Sequence, residues 1–233
     1  MPRIIPKSLL EDLLQLFYPN LCVACQHEAV SLKELFCVRC ESKLPISDMF
    51  RFSQNESTSR LSGNVPFYSG ASMFRFYPSG SVQKIIHTIK YKNGTDIAQR
   101  LGVRFGKMLQ QSIYFRDVEC IIPIPLHIRK LRSRGFNQST HFAMGLAEVL
   151  NVSVDIKSVV RVKPTETQTS KTREERILNM DKAFQLKSPI KHNKILLVDD
   201  VLTTGSTLEE CALTILRSAP DARLSFATIA LAQ

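Results

Sequence analysis

The chain has 233 residues, 44% of them hydrophobic, enough for one sizeable core and a small appendage. No run of about 18 apolar residues is present, which excludes a spanning helix. The first apolar stretch is broken by Glu11 and Asp12 and lacks a small-residue cleavage site, so no signal peptide is expected and the expected location is the cytoplasm. The net charge of +10 is uneven: residues 1–62 hold seven Lys/Arg and seven Asp/Glu, residues 63–233 hold 24 and 14. A basic surface on the larger part suits phosphate esters or nucleic acid.

Residues 4–17 place Ile5, Leu9, Leu10, Leu13, Leu16 and Phe17 at helical spacing, with Pro6 near the start and Pro19 beyond the end. The spacing predicts an amphipathic helix docked on the body, because its polar face is acidic rather than lipid-seeking. Next come Cys22, Cys25, Cys37 and Cys40, two C-x₂-C pairs separated by eleven residues. Each pair sets two thiolates on one tight turn, and two facing turns complete a tetrahedral zinc site. Four cysteines leave no open coordination position, so the predicted zinc is structural; disulfides are disfavoured in a reducing compartment. His27 is surplus to the four ligands and is expected at the surface. Residues 1–45 are therefore read as an N-terminal helix and zinc knuckle. Residues 46–66, rich in Ser and Asn, are read as a linker or mobile loop, and residues 67–233 as the main domain.

Within that domain, residues 67–77 read as a strand. Val82, Ile85, Ile86 and Ile89 mark a helix, and after Asn93-Gly94 a second helix carries Ile97, Ala98, Leu101, Phe105 and Leu109. Tyr91 is expected to pack, and Lys90 and Lys92 to be solvated. Residues 120–125, CIIPIP, form an apolar strand ending in a Pro-x-Pro-Leu-His turn. Four cations, Arg129, Lys130, Arg132 and Arg134, follow within six residues, and the next helix is capped by Asn137 or Ser139. Guanidinium binds phosphate bidentately, so Arg134 is the candidate anion ligand of this turn. A short strand at 158–162 leads into residues 163–179, which lack apolar periodicity and read as a lid-like loop. Another short strand follows at 183–186, and the last strand is expected at 224–231.

The most informative stretch is Val198–Thr207, VDDVLTTGST, behind the apolar run Ile195-Leu196-Leu197. The apolar run reads as a buried parallel strand that delivers Asp199 and Asp200 to its carboxyl end. Thr203, Thr204, Gly205, Ser206 and Thr207 then open a helix, offering hydroxyls, free backbone N–H groups and the positive end of a helix dipole to a phosphate. The two acids suit ribose hydroxyls or a phosphate-bound Mg²⁺. A phosphorylated ribose needs both features side by side. A P-loop reading fails, because the nearest string, Gly102 to Lys107, is followed by Met108 rather than Ser or Thr. Alternating strands and helices make the fold class α/β with a mostly parallel sheet and flanking helices.

VDDVLTTGST resembles the PRPP-binding motif of type I phosphoribosyltransferases. With the four-cysteine knuckle, the RGFNQ string from Arg134 to Gln138, and Ile89-Lys90-Tyr91-Lys92 with Gly94, the chain resembles the ComF family (ComFC/GntX-like) of competence-associated proteins. The resemblance implies a type I phosphoribosyltransferase-like fold and gives the Leu126, His127 and Ile128 backbone, with Arg129 and Arg134, a pyrophosphate-binding role. It places a catalytic loop at Lys163 to Asn179, where Thr165, Gln168, Arg176 and Asn179 match the family pattern and Arg176 is the favoured catalytic cation. Asp199 and Asp200 are the implied catalytic acids. Two functions follow from it. One is a PRPP- and Mg²⁺-binding phosphoribosyltransferase acting in DNA uptake during natural transformation, its acceptor unspecified. The other is a non-catalytic competence factor that binds single-stranded DNA or senses PRPP, working with competence proteins such as a ComFA-type helicase. No membrane insertion is implied.

Overall fold

The structure is a computed structural model that describes residues 19–61, 63, 65–91, 94–163 and 183–233. The helix expected at 4–17 and nearly all of the loop expected at 163–179, Arg176 included, lie outside the described residues.

Five parallel strands form the main sheet in the order β1-β7-β6-β2-β3. They are β1 (Ser69–Phe76), β2 (Cys120–Pro123), β3 (Ser153–Val154), β6 (Lys194–Leu202) and β7 (Arg223–Ala232). Four consecutive buried residues at Ile195–Val198, and eight at Leu224–Leu231, make β6 and β7 the doubly covered centre. Sheet order also shows where a ligand fits. β2 leads to its neighbour β3 on one side, whereas β6 leads to β7 on the other, so the chain diverges from the β2/β6 pair. The carboxyl ends of such a pair open a crevice at the topological switch point.

The strands expected at 158–162 and 183–186 exist as β4 (Val159–Arg161) and β5 (Phe184–Leu186). They pair with each other, antiparallel, in a separate ribbon off the main sheet.

The helices cover both faces. α3 (Ser81–Tyr91) and α4 (Thr95–Leu109) join β1 to β2; α5 (Ile128–Arg134) and α6 (Gln138–Leu150) join β2 to β3; α7 (Ser206–Leu216) joins β6 to β7. α4 and α6 cross at very close range. A Cβ on Gly145 would lie 2.0 Å from the Gln99 carbonyl oxygen, and one on Gly102 would lie 2.2 Å from that of Phe142. Beside this crossing the Phe105 and Phe142 rings stack with centroids 6.2 Å apart. α5 was not expected: the four cations read as a turn lie on a helix of seven residues, closed by Gly135 at φ +81°.

Residues 46–61 correct the expectation of a free linker. A 3₁₀ turn (Met49–Arg51) and a short helix, α2 (Glu56–Arg60), pack on β1, with Met49, Phe50 and Ser57 buried. Asn55 explains the order. Its Oδ1 accepts from the N–H groups of Ser57 and Thr58, and its Nδ2 donates to the carbonyls of Met49, Phe52 and Gly70. Ser57 Oγ, Ser72 Oγ and Thr228 Oγ1 continue the network into the core at 2.7 Å per step. The Ser/Asn-rich composition that looks like a loop holds a half-buried capping Asn55 and a buried Ser57, which fix the segment on β1 by hydrogen bonds.

Candidate functional site

At the carboxyl end of β6 the two acids meet the start of α6. Ser139 Oγ donates to Asp199 Oδ1 at 3.2 Å, and Gln138 Nε2 donates to Asp200 Oδ2 at 2.8 Å. Neighbouring strand residues ordinarily point to opposite faces. Here each carboxyl folds back on the next peptide, Asp199 Oδ1 accepting from Asp200 N–H at 2.8 Å and Asp200 Oδ1 from Val201 N–H at 2.7 Å. One helix end therefore serves both. Asn137 caps α6, its Oδ1 accepting from Ser139 N–H, and its Nδ2 donates to the Ile124 carbonyl at 2.9 Å, tying the helix start to the end of β2. Of the two expected caps, Asn137 caps the helix, and the hydroxyl of Ser139 goes to Asp199.

Lys90, in the last turn of α3, places its Nζ 2.8 Å from Asp200 Oδ2. It is a member of the site rather than a solvated lysine. Burial and the adjacent Asp200 carboxylate push the Asp199 carboxyl up to about 7, against the smaller opposing pull of the Asp200 N–H, Ser139 and Lys90. Gln138 links the acids to the basic helix, because its Oε1 accepts from Arg134 Nη1 at 3.0 Å. The Arg134 guanidinium also lies over the Tyr91 ring, 5.6 Å from its centroid. Lys90, Tyr91, Lys130, Ser133, Arg134 and Phe136 line a cavity of about 520 Å³. Tyr91 is 64% exposed there, so the expectation that it packs does not hold.

On the other flank, Thr203, Thr204 and Ser206 are exposed, Thr207 is half-buried, and Gly205 is buried. Gly205 precedes α7 at φ +81° and no side chain caps the helix start, so its first N–H groups face outward beside the hydroxyls. Thr204 Oγ1 and Ser206 Oγ are 2.6 Å apart. Along the turn after β2, Leu126 is half-buried and Ile128 and Arg129 are exposed. His127 is buried, its Nδ1 accepting from Arg129 N–H at 3.3 Å, so the ring caps α5. Arg134 reaches the acids through Gln138. Among the described residues, no hydrogen bond or ion pair joins Arg129 to Asp199 or Asp200.

The second candidate site is the knuckle. The sulfurs of Cys22, Cys25, Cys37 and Cys40, the last on the short helix α1 (Val38–Glu41), all lie within 4.8 Å of one another, and the thiols are free. Such a group can hold a metal ion. His27 is exposed and outside the group, as expected. Gln26, in the left-handed conformation at φ +61°, turns the chain between the first pair and the return at Ala29. The knuckle docks on α3 and α4: Gln26 Nε2 donates to Thr88 Oγ1 at 2.9 Å, and Arg104 grips the Glu41 carboxylate with both terminal nitrogens, at 2.8 and 2.5 Å.

Sequence reasoning missed Lys90 and Gln138. A lysine at the end of an amphipathic helix gives no local sign of a partner 110 residues away. Gln138 is only 2% exposed, and its place in the RGFNQ string was the one available signal.

Residues 137–231 match the family profile of the phosphoribosyl transferase domain. The chain is similar to a DNA utilization protein, YhgH, of Salmonella typhimurium, at 34% identity over 58% of this chain and 60% of that protein. It is also similar to Competence protein F of Haemophilus influenzae, at 42% identity over 47% of this chain and 48% of that one. The matches thus span 60% or less of these relatives' length. A solved hypoxanthine phosphoribosyltransferase from Staphylococcus aureus overlaps 57% of this chain and 62% of its own, at 14% identity and a TM-score of 0.36. The parallel sheet, its flanking helices and the matched domain define a protein of the type I phosphoribosyltransferase fold. The four-cysteine cluster and these relatives agree with the resemblance to the ComF family.

Proposed function

We propose that the chain binds PRPP and acts in the handling of DNA taken up by the cell. The observation that carries this reading is the placement of Asp199 and Asp200 at the β2/β6 switch point, between an uncapped helix start and a basic helix. The α7 N–H groups and the Thr203–Thr207 hydroxyls take the 5′-phosphate. Asp199 and Asp200 accept from the ribose hydroxyls, and the Leu126–Ile128 backbone with Arg129 and Arg134 takes the pyrophosphate. Mg²⁺ would arrive with the ligand and neutralise phosphate charge. The acids are oxygen donors of the type it needs, although their described oxygens already accept from protein groups. Transfer would draw on positioning and on stabilising charge at the leaving pyrophosphate. At the knuckle, four sulfurs closed on one another suit zinc as a structural ion, and thiols kept free for it suit a reducing cytoplasm.

The DNA side of the reading is supported by the names of the relatives and by the net charge of +10. Exposed Tyr91 beside Lys90, Lys130 and Arg134 adds an aromatic ring to the basic face, of use to a reader of single strands that tracks the backbone. Such binding falls steeply with salt.

Calorimetry with PRPP and Mg²⁺ tests the site. Asp199→Asn combined with Asp200→Asn is expected to abolish PRPP binding while the fold persists by circular dichroism. An unchanged affinity overturns the assignment.

A further inference from the structure

The ion pair between Lys90 and Asp200 lies across the site just described, and the phosphoribosyl reading on which this inference rests does not call for it. Asp200 Oδ2 receives both Lys90 Nζ and Gln138 Nε2 at 2.8 Å, while Oδ1 is occupied by Val201 N–H. A ribose hydroxyl coming to Oδ2 is a neutral donor. It therefore replaces the lysine's share of the carboxylate without replacing its charge. The Lys90 side chain is only 23% exposed and that of Asp200 13%, so water cannot fully solvate an ammonium set free there. The same lysine lines the cavity with Lys130 and Arg134, where loss of its counter-ion leaves cations facing one another. An anionic group in that cavity restores the balance.

We propose that Lys90 is a specificity-determining residue that exchanges Asp200 for an anion of the ligand. It thereby selects a pentose phosphate carrying a second anionic group, a diphosphate at the anomeric carbon, over a plain pentose 5-phosphate. The diol and the diphosphate are recognised as one event, because binding at the first releases the cation that the second requires. Arg134 is less suited to this part, held as it is by Gln138 and stacked on Tyr91.

The test is calorimetry with ribose 5-phosphate, inorganic pyrophosphate and PRPP, at constant Mg²⁺, on the full chain and on Lys90→Met and Lys90→Arg. In the unaltered protein, saturating pyrophosphate is expected to tighten ribose 5-phosphate at least roughly fivefold. Lys90→Met is expected to lose that coupling and to bind ribose 5-phosphate no more weakly. It should bind PRPP roughly tenfold more weakly, the worth of one charge-assisted hydrogen bond. Lys90→Arg should retain the coupling. Absence of coupling in the unaltered protein overturns the proposal without any variant. So does coupling that survives in Lys90→Met, or equal weakening of PRPP and ribose 5-phosphate, the mark of a static counter-ion. Failure of the phosphoribosyl reading looks different: the unaltered protein then binds neither PRPP nor ribose 5-phosphate, and both readings fall together.

Discussion

Asp199 sits where its ionisation opposes folding. Its carboxyl is raised from the ordinary 3.8 to about 7 by burial and by Asp200. Between those values the folded state holds a proton that the unfolded state has released. This group's contribution to stability is therefore present below about pH 4 and is lost as pH rises through 7. The Asp199→Asn variant cannot ionise. Its melting temperature relative to the unaltered protein should rise between pH 5 and pH 8 in thermal scans; a difference independent of pH would contradict the raised carboxyl. At this scale the acids, the hydroxyl loop and Arg134 could be singled out from the sequence as candidates, because each belongs to a contiguous motif. Lys90, Gln138 and the hydroxyl of Ser139 were not, since their roles exist only once α3 and α6 have been brought to the end of β6.

The element that positions the site is α6, whose first turn supplies Gln138 and Ser139 and whose body is pressed against α4. In an exposed helix, Gly→Ala stabilises by about 1 kcal/mol. At Gly145 the sign reverses, because the added methyl meets the Gln99 carbonyl oxygen at 2.0 Å and the Val103 amide nitrogen at 2.7 Å. Both are backbone atoms and cannot step aside alone. Gly145→Ala should destabilise by about 2 kcal/mol, the range of overpacked cores, as read from the urea midpoint. A gain in stability would show that the two helices separate at little expense. Strands and helices with clean periodicity, such as β1, α4, β6 and β7, were legible. α5 was hidden because it is short and four of its seven residues are cations, and the order of residues 46–61 was hidden because Ser and Asn mark loops unless something buries them. The separate pairing of β4 with β5 was likewise invisible, since a short apolar run does not say which edge it joins.

For the whole molecule the knuckle matters through its contacts rather than through its own core. It is joined to α3 by Gln26 and Thr88, and to α4 by Glu41 and Arg104. Removal of a metal held by the four sulfurs should therefore be felt in the main domain. Chelator treatment, or Cys37→Ser, is expected to expose the 19–45 region to protease and lower the melting temperature of the entire chain. Elemental analysis finding no zinc in the purified protein would remove the basis for this expectation. The segment that follows the knuckle has a consequence of its own. Leu61 packs beneath Gly205, its Cδ2 only 2.2 Å from where a Cβ would stand. Gly205 is thus constrained twice, by its left-handed backbone and by the leucine under it. The floor of the proposed phosphate cradle is built from chain that precedes β1. A minimal ligand-binding fragment cut at residue 67 would keep every sequence motif of the β6 site and lose the surface that the loop rests on.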